Sequence, residues 1–418
     1  MATTALCVAA LVSCAAAFGA PRQVEKLELG RALGRPEELV AYGKSRLLML
    51  RDWGHVFRVD ANGSLDRTFG DGGRLETSFS DVVVAPDGKI LAAHSGPSPT
   101  DPADSDAQVT RLLPDGSVDR SFGRAGTADV DLGGRHDDAG TLMIAADGKI
   151  VIGGTKQTRP SERGGSGATP ALARLLPNGA VDRSFGRRGV RNLPDGSEGG
   201  VFAVAPAPHG EIVAEGEGYI GTVVWKLGPS GALDRRFGKR GIVAIEGRGR
   251  RFRYGWEEEI SMLSGVGVLA DGRIMLAATG AKYGSGSSYY RVLGLRLRVD
   301  GEIDRSYGQR GWAAGAFSGS AFAQAPVFLP DGELIVAADA QSPHGKRSDV
   351  GAVAFGKNGR LDRRFGKHGR LRVDLDGWDM VDDAVVGQGG RLIILGEPGK
   401  WRGSRWLVRA PLPGSRAR

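Results

Sequence analysis

The sequence predicts an all-β fold made of a repeated unit of four antiparallel strands, and three observations predict it. The 418 residues include 67 glycines and 20 prolines, which favours many short strands joined by tight turns. A motif in which an apolar strand follows a glycine turn recurs about every sixty residues. A second glycine-rich motif alternates with the first along the whole chain. One structural unit is therefore repeated, and we expect a single domain over residues 21–418.

The first motif is exemplified by "PDGKILAA" at residues 86–93 and "ADGKIVIG" at residues 146–153. A degenerate copy, "GKSRLLML" at residues 43–50, begins the series, so that the chain contains seven of these turns. The turn glycines of the six clear copies are 58 to 62 residues apart: Gly88, Gly148, Gly210, Gly272, Gly332 and Gly390. Glycine supplies the positive φ that such hairpin turns require.

The second motif has the pattern [LVI]-D-R-x-[FY]-G-x-x-G and follows a turn such as Asp-Gly or Asn-Gly. Nearly identical copies, "LLPDGSVDRSFGRAG" and "LLPNGAVDRSFGRRG", occupy residues 112–126 and 175–189. The six copies begin at Leu65, Val118, Val181, Leu233, Ile303 and Leu361. Repeated hairpins separated by such turns are typical of β-propeller blades.

Within one period the sequence predicts four strands, a to d. In the second period, strand a covers residues 81–86, strand b covers 89–93 and strand c covers 107–113. Strand d carries "VDRSFGRAGTADVDL". Seven a–b turns but only six strand-d motifs predict a seven-bladed β-propeller of four-stranded antiparallel blades. In this interpretation residues 22–30 pair with residues 404–412 in the C-terminal blade and close the ring, which removes exposed edges.

These paired motifs resemble the delta-60 repeat family, a bacterial β-propeller repeat with the pattern pDGkilvgG…RLnpdGslDtsFGxxG. The resemblance covers nearly all of the chain after the N-terminal segment, and it departs from the pattern in the short first blade and at Tyr307, which replaces the phenylalanine. The resemblance implies a propeller in a secreted or surface setting. It implies no activity.

The N-terminal residues 1–20 are interpreted as a secretory signal peptide. The run from Ala2 to Ala20 is uncharged, and Ala15-Ala16-Ala17 offers an A-x-A cleavage site. A second interpretation is a lipoprotein signal, because "LVSC" resembles a lipobox and would make Cys14 the lipidated residue. We therefore expect a secreted or cell-envelope protein, with lipid anchoring as the alternative.

Composition narrows the function classes. The only two cysteines lie in the N-terminal segment, so the domain is predicted to contain no disulfide, thiol nucleophile or cysteine metal ligand. No other segment approaches the length of a membrane span. Outside the cell, the net charge of +8 favours acidic polymers or anionic surfaces, and nucleic acid is not expected as a partner. We expect a monomer.

The residues of the second motif are interpreted as structural, because one copy occurs in each period. A short aspartate can accept backbone N–H bonds in its own turn, the following arginine can pair with a neighbouring blade, and the aromatic ring can fill the seam between blades. The structural set is Asp66, Phe69, Asp119, Phe122, Asp182, Phe185, Asp234, Phe237, Asp304, Tyr307, Asp362 and Phe365. The alternative is a ring of carboxylates with a chemical function.

All long, unrepeated segments are predicted to be b–c or d–a loops, which share one face of the propeller. Variable loops on a rigid scaffold commonly bind ligands, and aromatic rings beside guanidinium groups suit sugars or a protein partner. The ligand-binding candidates on this face are Arg248, Arg250, Arg251, Phe252, Arg253, Tyr254, Trp256, Tyr283, Tyr289, Tyr290, Trp401, Arg402 and Trp406. The alternative is a solvated loop region whose aromatic side chains pack on the blade beneath.

Charged residues suggest two further sites. Glu38, Asp81 and Asp383 lie at equivalent strand starts in neighbouring blades and predict a Ca²⁺ site at the channel mouth, unless they only face channel water. On the opposite face, turns such as "GRRG" and "GKRG" form a basic ring that suits anionic polymers or lipid headgroups, with solubility as the alternative.

These features favour a non-catalytic binding scaffold for a glycan, an envelope polymer or a protein, with no catalytic residue and no cofactor beyond the Ca²⁺ hypothesis. The alternative is a propeller enzyme, either a polysaccharide lyase or hydrolase or a quinone-dependent dehydrogenase. The six histidines occupy no repeated position, and neither G-x-S-x-G nor H-E-x-x-H is present. A deep pocket with two unrepeated carboxylates would favour the enzyme.

Overall fold

The computed structural model describes most of the chain between residues 24 and 413. The described ranges are 24–29, 36–43, 46–51, 55–60, 62–101, 103–157, 167–194, 196–218, 221–246, 252–253, 257–284, 287–343, 345–375, 377–387, 390–399 and 405–413. The predicted signal segment, including Cys14, lies outside these residues.

The described residues form an all-β propeller whose strands fall into six hydrogen-bonded sheets, numbered here in chain order. Sheet 1 contains β2 (Pro36–Tyr42), β3 (Arg46–Arg51), β4 (His55–Val59) and β5 (Arg74–Glu76). Sheet 2 contains β6 (Asp81–Val84), β7 (Ile90–Pro97), β8 (Ser105–Leu112), β9 (Thr127–Val130), β10 (His136–Ile144), β11 (Ile150–Gln157), β12 (Ala168–Leu175) and β13 (Val190–Asn192). Sheet 3 contains β14 (Gly196–Pro206), β15 (Ile212–Gly218), β16 (Gly221–Leu227) and β17 (Ile242–Glu246).

The remaining strands complete the ring. Sheet 4 contains β18 (Phe252–Arg253), β19 (Glu257–Val268), β20 (Ile274–Gly284), β21 (Ser287–Leu297) and β22 (Trp312–Gly315). Sheet 5 contains β23 (Ala321–Phe328), β24 (Leu334–Gln341), β25 (Ser348–Phe355) and β26 (Arg370–Val373). Sheet 6 contains β27 (Met380–Gly387), β28 (Arg391–Glu397), β29 (Arg405–Pro411) and, from the other end of the chain, β1 (Glu25–Leu29).

The prediction of seven separate four-stranded blades is wrong. The described residues form five separate blades of four or five strands, and the other strands form the eight-stranded sheet 2. Its two halves are joined because a parallel bridge pairs Ser105 of β8 with His136 of β10. The Ser105 N–H donates to the Arg135 carbonyl at 3.2 Å, and the Arg135 N–H donates to the Gln157 carbonyl at 2.7 Å. The short connection between β9 and β10 thus draws two sets of strands into one hydrogen-bonded sheet.

The N-terminal strand closes the ring, as the sequence predicts. β1 pairs antiparallel with β29 in a register that runs from Glu25 opposite Arg409 to Leu29 opposite Arg405. The apolar side chains of this edge, including Leu29 and Leu407, pack with Leu39 and Phe57 of sheet 1. The first and last described strands therefore share one core with the next sheet.

The outer strands begin later than predicted. In sheet 2, the motif of residues 118–126 makes two isolated bridges, Leu112 with Val118 and Arg124 with Thr127, and the outer strand β9 starts at Thr127. Gly123 and Gly126 have φ values of 51° and 109°, so the motif folds as consecutive turns and cannot extend as a strand. The aspartate and the phenylalanine consequently lie in a turn that leads into the outer strand.

The a–b turns and the c–d turns lie on the same side of the propeller, which is called here the tight-turn face. Lys89, in the turn between β6 and β7, forms an ion pair of 3.0 Å with Asp119 of the following c–d turn. Lys149 forms the equivalent pair with Asp182 at 3.5 Å. The longer b–c and d–a connections therefore lie on the opposite side, the variable face. One of them, predicted as a loop over residues 246–259, contains the short strand β18, which pairs with the start of β19.

Candidate functional site

The six repeated aspartates each hold the turn in which they lie. In every copy a carboxylate oxygen accepts the backbone N–H of the residue two positions later, at 3.0–3.1 Å. In five copies the carboxylate also pairs with a cation of strand c, at 2.7–3.2 Å. These pairs are Arg58–Asp66, Arg111–Asp119, Arg174–Asp182, Lys226–Asp234 and Arg296–Asp304. In the sixth copy Asp362 pairs with Arg364.

These contacts keep the repeated carboxylates charged. Burial alone would raise the pKa of Asp182, but hydrogen bonds from Ser184 and the charge of Arg174 lower that pKa to about 2. The same balance, with Ser306 and Arg296, lowers the pKa of Asp304 to about 2. A carboxylate that is ionised and committed to an internal cation cannot serve as a general acid at neutral pH.

The strand-c cation also connects consecutive repeats. The Arg111 guanidinium lies 4.6 Å from the centre of the Phe122 ring and donates to the Pro177 carbonyl of the next repeat at 2.8 Å. The Gly123 N–H donates to the Asn178 carbonyl at 2.8 Å, across the same junction. Arg296 makes the equivalent contacts in a later copy. The six motif aromatics are buried at these junctions: Phe69, Phe122, Phe185, Phe237, Tyr307 and Phe365.

The cation that pairs with most motif aspartates is not the arginine that follows each aspartate in the sequence. The arginine that directly follows each aspartate was expected to pair with a neighbouring blade, whereas in five copies the buried partner is the strand-c cation. That cation lies exactly the same distance upstream in all five, as Arg58 and Asp66 illustrate. A constant spacing of two opposite charges is visible in the sequence.

The arginine that follows each aspartate is exposed on the tight-turn face. The six are Arg67, Arg120, Arg183, Arg235, Arg305 and Arg363. The tight-turn face therefore carries one exposed arginine per copy of the motif, alongside exposed aspartates of its turns such as Asp87 and Asp147.

A second set of cations on this face occupies a strained backbone position. The third residue after the motif aromatic is Arg188, Arg240, Arg310 or His368 in four copies, and each has a φ of 56–58°. The left-handed region costs a non-glycine residue roughly 1–2 kcal/mol, and glycine adopts it without that cost. Basic side chains occupy this position in four copies, and Ala125 adopts the same conformation in a fifth, with a φ of 55°.

The tight-turn face contains a cleft of about 680 Å³ between the outer edge of sheet 2 and the motif turn of sheet 3. Four cations line it: Arg191, Arg235, Lys239 and Arg240. Pro194, Ala232, Leu233 and Ile242 complete the lining, and no carboxylate is among these residues. An open groove with an apolar floor and several guanidinium groups suits an extended anionic ligand.

The acidic residues predicted at the channel mouth lie on the first strands of three consecutive units. Glu38, Asp81 and Asp383 are 8%, 1% and 8% exposed. Asp383 Oδ2 accepts the Leu39 N–H at 2.7 Å, and Asp81 Oδ2 accepts the Leu142 N–H at 2.6 Å. Each aspartate therefore links its own first strand to the first strand of the next unit.

Burial raises the pKa of each of these three groups. The pKa values of Asp81 and Asp383 are raised to about 7, mainly by loss of solvent. Burial and the charges of Asp81 and Asp383 raise the pKa of Glu38 well above its ordinary value. Close carboxyl groups without a paired cation hold protons near neutral pH, and the Ca²⁺ site stays a prediction.

Few of the aromatic candidates on the variable face are described. The Tyr289 hydroxyl donates to the Phe317 carbonyl at 3.0 Å, and the Tyr290 ring lies 4.6 Å from the Phe322 ring. Trp406 is partly buried against the core between sheets 5 and 6. Phe252 and Arg253 lie in β18 and Tyr283 lies in β20, but their side chains are outside the described part. The remaining candidates also lie outside the described residues: Arg248, Arg250, Arg251, Tyr254, Trp256, Trp401 and Arg402.

The fold and its repeated junctions define a β-propeller repeat protein. Residues 145–185 match a family model described as a domain of unknown function (DUF5122) β-propeller. The matched segment runs from the end of β10 to the motif phenylalanine, which is about one repeat. In the described part of the chain, no helix is long and apolar enough to cross a membrane.

Solved structures with a similar fold are only distantly related in sequence. The polysaccharide lyase Uly1 has 12% identity and a TM-score of 0.47, with 90% of each chain covered. A puromycin hydrolase variant has 16% identity and a TM-score of 0.45; the match covers 87% of this chain and about half, 50%, of the hydrolase. The β-propeller domain of Vanderwaltozyma polyspora Nup133 has 11% identity and a TM-score of 0.45, with 92% and 97% covered. No curated protein matches the sequence.

Proposed function

We propose that this protein is a non-catalytic binding scaffold, secreted or attached to the cell envelope, that holds an anionic polymer on its tight-turn face. The ligand class that fits this face is an acidic glycan or a related envelope polymer. The proposal also takes the repeat to be of the delta-60 type, on the basis of the paired motifs in the sequence.

The cleft of Arg191, Arg235, Lys239 and Arg240 is the observation that carries the proposal. Its cations have no carboxylate in the cleft lining to neutralise them, and Arg240 retains a left-handed backbone. The exposed motif arginines place further guanidinium groups on the same face, at intervals of one repeat. A polymer with regularly spaced anionic groups can contact several of these positions at once, which increases its apparent affinity.

A polysaccharide lyase or hydrolase is the second candidate, because Asp81 and Asp383 have pKa values of about 7 that suit acid–base chemistry. Both groups, however, use one oxygen to accept a backbone N–H of the neighbouring unit. Their contacts favour a structural role, and the binding scaffold is the better-supported function.

The test compares two charge reversals that are chemically identical. Lys239→Glu with Arg240→Glu changes the cleft, and Lys346→Glu with Arg347→Glu changes an exposed Lys-Arg pair in the loop between β24 and β25, on the variable face. Binding to polyuronate and to neutral dextran is measured by calorimetry at several salt concentrations. We expect wild-type protein to bind polyuronate with a salt-dependent affinity, because the contacts are ionic.

The cleft variant should bind polyuronate at least tenfold more weakly, and the loop variant should bind within twofold of wild type. Equal losses in both variants would show only a general effect of net charge. Equal binding of dextran and polyuronate, or depolymerisation of polyuronate by the protein, would contradict the proposal.

A further inference from the structure

A second group of carboxylates lies at the junction inside sheet 2. Asp106 is the second residue of β8, Asp131 directly follows β9, and Asp137 is the second residue of β10. One carboxylate oxygen from each residue comes within 4.8 Å of the other two. Two oxygens bound to the same Ca²⁺ at 2.3–2.6 Å are separated by at most about 5 Å, so the spacing is compatible with a shared ion.

Asp137 is fully buried and is only half satisfied by the protein. Its Oδ2 atom accepts the N–H groups of Leu132 at 2.6 Å and of Gly134 at 3.3 Å. Its Oδ1 atom is buried and has no hydrogen-bond partner within the described part of the chain. Leaving such an oxygen without a partner is costly, and a bound cation would remove that cost.

The protein supplies no paired cation to this cluster. Among the described residues, neither a lysine nor an arginine forms an ion pair with Asp106, Asp131 or Asp137. Asp106 is 5% exposed and Asp137 is 0% exposed, so solvent compensates little of their charge.

A second copy of the same arrangement occurs in sheet 5, and there the protein does supply a cation. Asp349, Asp374 and Asp379 also bring one oxygen each within 4.8 Å of the others. Both copies carry Ser-Asp in strand c and Val-Asp-Leu after the outer strand. In sheet 5, Arg372 Nε donates to Asp349 Oδ2, whereas the equivalent position in sheet 2 is Asp129, which adds a further negative charge.

We propose that Asp106, Asp131 and Asp137 bind one hard divalent cation of the Ca²⁺ type. The ligands are oxygen atoms, without histidine or cysteine, which is the donor set that Ca²⁺ prefers. The site lies beside the Ser105–His136 bridge, so the ion ties β8 and β9 to β10 where the two halves of sheet 2 are joined. In the sheet 5 cluster, the Arg372 guanidinium supplies a positive charge to Asp349.

The experiment titrates the whole chain, freed of metal by a chelator, with Ca²⁺ in a calorimeter. We expect wild-type protein to bind one Ca²⁺ at this site, and Asp131→Asn to weaken that binding at least tenfold. Asp131 is exposed, so this variant should fold normally. Asp374→Asn, the matched change in sheet 5, should leave Ca²⁺ binding unchanged.

A second variant separates binding from folding. Asp129→Arg places a guanidinium where sheet 5 has Arg372, and it should abolish both Ca²⁺ binding and the rise in melting temperature that Ca²⁺ produces. The proposal would be overturned if wild-type protein did not bind Ca²⁺. It would also be overturned if Asp131→Asn or Asp129→Arg bound Ca²⁺ as well as wild type, or if Asp374→Asn lost as much binding as Asp131→Asn. Tighter binding of Mg²⁺ than of Ca²⁺ would overturn the assignment of the ion. None of these residues belongs to the basic cleft, so the outcome is independent of polymer binding.

Discussion

The motif aspartates on the tight-turn face and the carboxylates at the first strands are both largely removed from solvent, but they are neutralised in opposite ways. Asp182 pairs with Arg174 at 2.8 Å and has a pKa of about 2. Asp81 and Asp383 form no ion pair among the described residues, and burial raises their pKa values to about 7. The motif aspartates are therefore neutralised by arginine or lysine side chains, whereas the first-strand carboxylates are neutralised by bound protons.

The difference reflects how each set is built into the repeat. In five copies of the motif, the aspartate pairs with a strand-c cation of its own repeat. Asp81 and Asp383 instead each accept one backbone N–H from the first strand of the next unit. The contribution of the tight-turn face to stability should consequently not change with pH near neutrality. The contribution of the first strands to stability should change with pH in that range.

The largest expected effect comes from breaking one fixed pair. Arg174→Ala removes the buried partner of Asp182, the contact with the Phe185 ring and a hydrogen bond to the Pro229 carbonyl. Removing one member of a buried ion pair typically costs about 3–5 kcal/mol. We expect a loss of that size in the free energy of unfolding, measured by urea denaturation at pH 7.

The matched control is Arg183→Ala, which removes the exposed arginine of the same motif. A surface substitution of this kind should change the free energy of unfolding by no more than about 0.5 kcal/mol. If the two variants lost equal stability, the strand-c cation would not be the junction contact described here.

The next effect is a dependence of stability on pH. Asp81 and Asp383 have folded pKa values raised above the ordinary 3.8, so the folded protein binds more protons than the unfolded chain between about pH 4 and pH 7. Their contribution is complete below the ordinary pKa and is lost as the pH rises through 7. Each retained proton contributes a slope of about 1.4 kcal/mol per pH unit, so the melting temperature should fall between pH 5 and pH 8.

Asp383→Asn tests this origin, because the amide does not titrate but still offers an oxygen to the Leu39 N–H. The variant should show a smaller fall in melting temperature between pH 5 and pH 8 than wild type. Asp182→Asn is the control: it should lower the melting temperature at both pH values and leave the fall unchanged, because its pKa of about 2 lies outside this window. A wild-type melting temperature that is constant from pH 5 to pH 8 would contradict the comparison.

The smallest expected effect concerns the strained cation in the cleft. Arg240→Gly relieves a φ of 58°, but the added freedom of the unfolded chain offsets part of that gain. The net change in the free energy of unfolding should be within about 1 kcal/mol, while binding to polyuronate should weaken. If the affinity for polyuronate did not change, the left-handed conformation of Arg240 would be a requirement of the turn and not of ligand binding.

The repeat made the turns predictable but not the contacts between units. Gly88 and Gly148 have φ values of 82° and 78°, as hairpin glycines should, because a turn is a local property of a few residues. The pairing of β1 with β29 was also predictable, since one copy of the repeat lacked an outer strand. The strand-c cations follow from a constant spacing in the sequence, but their burial depends on where the next unit places its carbonyl group.

The joining of the two halves of sheet 2 and the carboxylate clusters of sheets 2 and 5 could not be predicted from the sequence, for a physical reason. The bridge between Ser105 and His136 depends on the path of a short connection between two units, and not on a residue pattern. The three aspartates at that junction come from separate strands, and their approach is set by how the units pack. The equivalent cluster in sheet 5 has Arg372 where sheet 2 has Asp129. The effect of this difference on the cluster is recognisable only when the two sites are compared in the structure.

The pairing of β1 with β29 also constrains how the protein is made. Strand β1 can find its partner β29 only after all the chain between them has been synthesised, so the ring cannot close before β29 has been made. Bringing such distant segments together carries a large entropic cost, which places closure late in folding. Until then β29 presents an unpaired edge to other chains, and the interval before closure is when the molecule is most exposed to aggregation.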